Sequence, residues 1–172
     1  MAKTDSFFIR QKVEVNGTTF TQETIDLGAF VDALGRSILK VKTISVQYAD
    51  ASDVNTPLNV LANQINKISW QLTTQSQSAM IYADDRSLIS SGSITFANNT
   101  STNDKLTMVE ESMDLNPQEW DGGYLVGVDA IYLGADAYAD LPLGNFNVTV
   151  VLECVSETLS KEAAMALALS QQ

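Results

Sequence analysis

The stretch Ile38–Tyr48, ILKVKTISVQY, decides the fold. Apolar and polar residues alternate along it with the period of two that marks a strand with one buried face. Leu39 and Val41 hold one parity, while Ile44, Val46 and Tyr48 hold the other. One extra residue near Lys42-Thr43 accounts for the switch, because a β-bulge turns every following side chain to the opposite face. A strand buried on both faces is the alternative. Upstream, Phe7, Ile9, Val13 and Val15 alternate with Phe8, Arg10, Lys12 and Glu14, and Asn16-Gly17 then predicts a two-residue hairpin into Thr18–Asp26. Leu27–Arg36 is short and bounded by glycine, so it reads as a loop with at most one helical turn.

Downstream, Leu58–Asn66 has the spacing of a short helix, with Leu58, Leu61 and Ile65 roughly on one face. Ile68, Trp70 and Leu72 alternate cleanly and give a strand whose tryptophan belongs to the core. Short strands are expected at Ala79–Ala83, Ser87–Ala97 and Lys105–Ser112, with an exposed polar loop over Asn98–Asp104. Tyr124–Leu133 and Asn145–Val155 read as a final strand pair. In the second of these, Cys154 shares the parity of Phe146, Val148, Val150 and Leu152, which makes it a buried core residue. Ser156–Gln172 is rich in alanine and reads as a helix. The pattern shows no repeat period and no alternation of strands with helices. Roughly eight or nine strands with uneven loops favour Greek-key crossings, hence an all-β antiparallel jelly-roll sandwich with a short C-terminal helix. It is expected to be one domain over 1–172, with 155–172 as the terminal helix or tail.

Composition narrows the chemistry. The chain has 172 residues, 10 Lys+Arg, 21 Asp+Glu, a formal charge of −11, one cysteine and no histidine. Without histidine there is no Ser-His-Asp triad, no Cys-His pair and no His-ligated metal. Glycine-rich phosphate loops, CxxC and nucleophile elbows are also missing from the sequence. An enzyme using carboxylates is permitted but not signalled, because such a pair need only be close in space. The charge is lopsided: residues 1–86 hold eight basic and nine acidic residues, and residues 87–172 hold two and twelve. Arg10, Lys12, Lys40 and Lys42 fall on two strands and can share a face, so they are candidates for meeting acids on a neighbouring copy. They are too few and too interleaved with acids to form a nucleic-acid groove. Trp120, in the polar turn NPQEWDGG, is a candidate contact anchor for a partner or a sugar, or a lid on the end of the sandwich. Asp121, Asp129, Asp136 and Asp140 lie near glycines and are the candidate oxygen ligands should a calcium ion bind; no other cofactor is expected. The amino terminus shows neither a long apolar stretch nor a cleavage site, so no signal peptide and synthesis in a cytoplasm are expected. The run AAMALALS is far short of the ~20 residues a membrane span needs.

Phe20–Asp50, FTQETIDLGAFVDALGRSILKVKTISVQYAD, resembles the early strands of small single-jelly-roll capsid proteins from tailless icosahedral viruses of archaea and bacteria. The likeness lies in a strand ending Ile25-Asp26-Leu27, a short Gly-Ala-Phe-Val-Asp segment, and Arg36 leading into a long amphipathic strand with an aromatic end. The resemblance implies a structural virion protein whose subunits pack side by side into capsomers and a closed shell, alongside other capsid proteins. It assigns no individual residue a role, since coat function lies in interface shape. Many such proteins carry an arginine-rich arm, whereas the first nine residues here hold only Lys3. Direct contact with the genome is therefore not expected, and an internal membrane layer or a separate internal protein would take that role. The terminal helix, with Leu159, Met165, Leu167 and Leu169, would dock on such a layer, on a neighbour, or on its own sandwich. A carbohydrate- or ligand-binding β-sandwich module of a surface appendage, using Trp120 and Tyr124, is the alternative.

Overall fold

The alternating stretches become strands that each turn one face into the core. The computed structural model describes residues 5–32, 36–57, 60–138 and 144–171. It places strands at β1 (Phe7–Val15), β2 (Thr21–Asp26), β3 (Ser37–Asp50), β4 (Gln64–Thr73), β5 (Leu88–Asn98), β6 (Met108–Leu115), β7 (Tyr124–Val126), β8 (Ala130–Ala137) and β9 (Phe146–Thr158), with a terminal helix α1 (Lys161–Ser170). Four strands form one sheet in the order β1-β9-β3-β7, and five form the other in the order β2-β8-β4-β5-β6. Every pairing is antiparallel. The chain stays within one sheet only from β4 through β6 and changes sheet at every other connection. That winding is a jelly roll. Its core lies between the sheets, where Val13, Ile44, Val148 and Leu152 of the first sheet face Ile68, Trp70, Ile131 and Leu133 of the second.

The bulge is present. Val41 pairs with Cys154 and Thr43 with Glu153, leaving Lys42 as the extra residue. Leu39 and Val41 before it and Ile44 after it are all buried in the core, as the parity switch predicts. Leu27 accepts from the Phe30 and Val31 amides, one helical turn within the loop expected over Leu27–Arg36, of which residues 33–35 lie outside the described residues.

Several local expectations are corrected. Asn16-Gly17 does form a turn, closed by the Thr19 amide on the Asn16 carbonyl at 3.2 Å. It is not a hairpin: β1 pairs with β9 and β2 with β8, so the turn carries the chain from one sheet to the other. A turn signal specifies a reversal, and long-range burial chooses the partner. The predicted helix over Leu58–Asn66 does not form in its described part. Asn63 has φ 54 and Gln64 already begins β4; Leu58 and Asn59 lie outside the described residues. Ala79–Ala83 is not a strand. Gln71 holds it instead, its Nε2 donating to the Ala79 carbonyl at 3.0 Å and its Oε1 accepting from the Ile81 amide at 2.8 Å. One amide side chain there does the work of a neighbouring strand. The strand expected at Lys105–Ser112 is β6 and begins at Met108. Tyr124–Leu133 is two strands, β7 and β8, in different sheets. β8 and β9 are not partners, because β9 lies between β1 and β3. β9 also runs on to Thr158, so α1 starts only at Lys161, with the Ser160 hydroxyl capping the Ala163 amide at 3.2 Å.

The break after β7 has a packing reason. A Cβ at Gly127 would stand 3.0 Å from the Leu167 side chain and 3.1 Å from the Ala168 amide nitrogen, so the helix lies closer here than it would over a residue with a side chain. Ala164 and Ala168 form the buried side of α1. Gln171 then joins helix and sandwich. Its Oε1 accepts from the Gly127 amide at 2.8 Å, and its Nε2 donates to the Leu125 carbonyl at 2.7 Å. Its own carbonyl accepts from the Thr74 hydroxyl at 2.9 Å, just beyond β4. The helix thus seals the sandwich by bonding to both sheets. Gln171→Ala strands the Gly127 amide and the Leu125 carbonyl and is expected to cost about 1–3 kcal/mol, read as a lower urea midpoint at unchanged slope.

Candidate interaction surface

The outer face of the four-stranded sheet collects the basic residues singled out above. Arg10 and Lys12 alternate with the inward residues of β1 and point to solvent. Lys40 precedes the bulge and Lys42 is the bulged residue itself, so both lie on the outer side of β3. The sharing of one face therefore follows from parity together with the bulge.

The four differ in what they meet. Lys42 Nζ lies 2.8 Å from Glu153 Oε1, and Lys40 Nζ lies 3.4 Å from Glu157 Oε1. Both acids come from β9, the neighbouring strand, and the Thr43 hydroxyl also donates to Glu153 at 3.3 Å. These lysines thus meet acids of their own chain. Arg10 lies over the Phe8 ring, with its guanidinium carbon 5.5 Å from the centroid. Neither Arg10 nor Lys12 forms an ion pair among the described residues.

Trp120 is reached through a 3₁₀ turn, Pro117–Glu119, after which its amide donates to the Pro117 carbonyl at 3.1 Å. The indole is partly exposed and tilts against Tyr124 with ring centroids 6.0 Å apart. Beside it opens a cavity of about 410 Å³, lined by Lys40, Lys42, Trp120, Gly122, Val155 and Glu157 among others. Gln118 fixes this turn to β3: its Oε1 accepts from the Ile44 amide at 3.1 Å, and its Nε2 donates to the Ile44 carbonyl at 3.2 Å. It occupies the free edge of β3 beyond the last β7 pairing.

The lopsided charge also finds a place. Glu110, Glu111 and Asp114 all stand exposed on β6, at the edge of the five-stranded sheet. The excess of acids after residue 87 was the only sequence signal for this group, and it named no strand. The aspartates considered for calcium are spread out. Asp121 lies in the turn before β7, and Asp136 lies in β8 of the other sheet, where its Oδ1 accepts from the Ala137 amide at 2.7 Å. The Asp129 carbonyl accepts from the Leu27 amide, and Asp140 lies outside the described residues. Among the described residues no three Cys, Asp or Glu come together as metal ligands. Cys154 is fully buried, and burial first, with Glu153 adding to it, pushes the thiol up to about 12, so it stays protonated.

Three carboxylates tie stability to acid. The hydrogen bond from Lys42 holds Glu153 below its ordinary 4.5, and the Ser52 and Ser87 hydroxyls hold Asp50 and Asp85 below 3.8. A carboxyl depressed in the folded state stabilises it above the unfolded value, and that contribution is lost as pH falls through the folded value. The thermal midpoint is therefore expected to hold from pH 7 down to about 5 and then fall below pH 4.5. Lys42→Met should shrink the Glu153 share of that fall, which scanning calorimetry from pH 7 to 3 will check.

No protein-family model matches this chain, and no curated protein is similar to it in sequence. Solved structures are similar in shape. VP1 of Trichodysplasia spinulosa-associated polyomavirus, in complex with GM1 oligosaccharide, matches with a TM-score of 0.51 at 8% identity, over 90% of this chain and 96% of that one. The same VP1 in complex with sialylated precision glycooligomers matches at 0.51 and 7% identity, over 88% and 95%. A turnip yellow mosaic virus chain aligns at 0.34 and 12% identity, over 89% and 94%. At these identities the likeness to VP1 is one of fold.

Proposed function

We propose that this protein is a coat subunit: a jelly-roll capsid protein that self-assembles into capsomers of an icosahedral viral shell. The observation that carries the reading is the jelly-roll winding β1-β9-β3-β7 over β2-β8-β4-β5-β6, in a fold that aligns with VP1 over 90% of this chain and 96% of that one. The chemistry agrees with it. The outer surfaces carry charges, exposed apolar side chains and free strand edges, which serve contact, and the single thiol is buried and protonated. The finer reading, from the Phe20–Asp50 resemblance, is a tailless virus of archaea or bacteria, with the protein made in the host cytoplasm and incorporated into the virion. In this reading genome contact falls to an internal membrane layer or a separate internal protein, since the basic residues present are few and interleaved with acids. Met165 and Leu169, exposed on α1, are the contact offered to such a layer.

The test is assembly. Light scattering after size exclusion, followed by negative-stain microscopy, is expected to show multimers or shells. A strict monomer at high concentration across salt and calcium conditions would sink the reading. One observation favours a second reading, a carbohydrate-binding module: the cavity beside the partly exposed Trp120. Binding on a sugar array that Trp120→Ala abolishes, in a protein that never assembles, would decide for it.

A further inference from the structure

The geometry points to a head-to-tail contact in which the β1 edge of one copy docks on the β6 edge of the next. It rests on the coat reading and says which surfaces that reading uses. β1 and β6 are both edge strands, each bonded to one neighbour only among the described residues, with nine and eight residues respectively. They lie on opposite flanks. β1 packs over β2 and β8 at one side of the sandwich, while β6 ends the other sheet at the far side. The other two edges are poorer candidates, since β7 spans three residues and β2 six.

The two long edges carry opposite free charge. On β1, Arg10 and Lys12 form no ion pair among the described residues, and with Glu14, which accepts from Asn145 Nδ2 at 2.8 Å and keeps its charge, two bases against one acid leave the strand net positive. On β6, Glu110, Glu111 and Asp114 are exposed and likewise unpaired, and the strand contains no base. Lys40 and Lys42 take no part, because Glu157 and Glu153 of β9 hold them. Both edges also expose apolar side chains: Phe8 at 55% on β1, and Met108 at 41% and Val109 at 56% on β6. Val109 borders a groove of about 310 Å³ that also takes in Val54, Pro57, Phe96 and Leu106. A free edge presents unsatisfied backbone donors and acceptors, and an exposed apolar edge strand is the usual template for pairing with another chain. Opposite charges select which edge meets which. Because the two patches differ and sit on opposite flanks, the contact is heterologous, and repeating it builds a ring or an open array.

Charge reversal tests this. Arg10→Glu with Lys12→Glu makes both edges acidic; Glu110→Lys, Glu111→Lys and Asp114→Lys together make both basic. Each variant alone is expected to raise the protein concentration needed for assembly about tenfold or more by light scattering, with circular dichroism unchanged. Mixing the two variants one to one restores acid–base matching at every contact by alternation. Carrying both sets on one chain restores it as well. Recovery in the mixture and in the combined chain is the expected result, and it also excludes misfolding as the cause of the single losses. If the wild type assembles and the reversals change nothing, the edge pairing is overturned and the coat reading stands. If only the β6 reversal matters, β6 meets another surface and the pairing with β1 is overturned. If the wild type never assembles, both fall together.

Discussion

Trp70→Ala is expected to destabilise the fold by about 3–5 kcal/mol, the cost of a large cavity at a fully enclosed aromatic site. Trp70 is completely buried on β4, facing the opposing sheet. Its Nε1–H donates to the Tyr48 hydroxyl on β3 at 3.0 Å, so one side chain joins the two sheets by both packing and hydrogen bonding. The indole also lies against Gly92 of β5, where a Cβ would stand 3.0 Å from Nε1. The loss is large against the total stability of a single domain, about 5–15 kcal/mol. Trp70→Phe removes the N–H donor together with part of the ring volume, and its smaller loss is expected to be about 1–2 kcal/mol. Urea unfolding followed by circular dichroism gives both values. A Trp70→Ala midpoint close to wild type would mean that the cross-sheet contact contributes little.

Gly123→Ala is the second substitution with a large expected effect, about 2–4 kcal/mol. Gly123 has φ 73, a left-handed conformation that alanine adopts only under strain. Space adds to the strain: a Cβ there would run into the Val41 carbonyl oxygen of β3. That is where β7 joins β3, through the Val41–Tyr124 pairing, so relief of the clash means lifting β7 off the sheet. Gly122→Ala is the control. It also has positive φ, at 95, but its Cβ would meet only the end of the Lys40 side chain at 3.5 Å. It is expected to cost about 1–2 kcal/mol from backbone strain alone. Equal losses at 122 and 123 would show that the contact with Val41 is not what matters.

The sequence was most informative where the physics is local. The bulge at Lys42 was legible because it reverses the parity of side chains that burial forces inward. Cys154 was legible for the same reason, since it alternates with Phe146 through Leu152. Trp120 announced its partial exposure by sitting in a polar turn. What was not legible depends on partners far along the chain. Asn16-Gly17 specifies a reversal with equal force whether the next strand pairs or crosses to the other sheet. Gln71 and Gln118 look like ordinary polar residues, yet each bonds a backbone segment as a missing strand would. The candidate surface divides in the same way. That Arg10, Lys12, Lys40 and Lys42 share a face follows from strand parity. That Glu153 and Glu157 engage only the last two requires knowing that β9 lies beside β3.

The position of β9 between β1 and β3 has a consequence for timing. Among the described strands β1 has its only sheet partner in β9, with Phe7 opposite Cys154 and Val15 opposite Phe146. Pairings so distant along the chain fold slowly, because the loop must close before any contact rewards it. β1 therefore waits, unpaired, until β9 has been synthesised. The edge bearing Arg10 and Lys12 takes shape only once β9 is in place. A chain that has not yet made β9 cannot present that edge to a neighbouring copy.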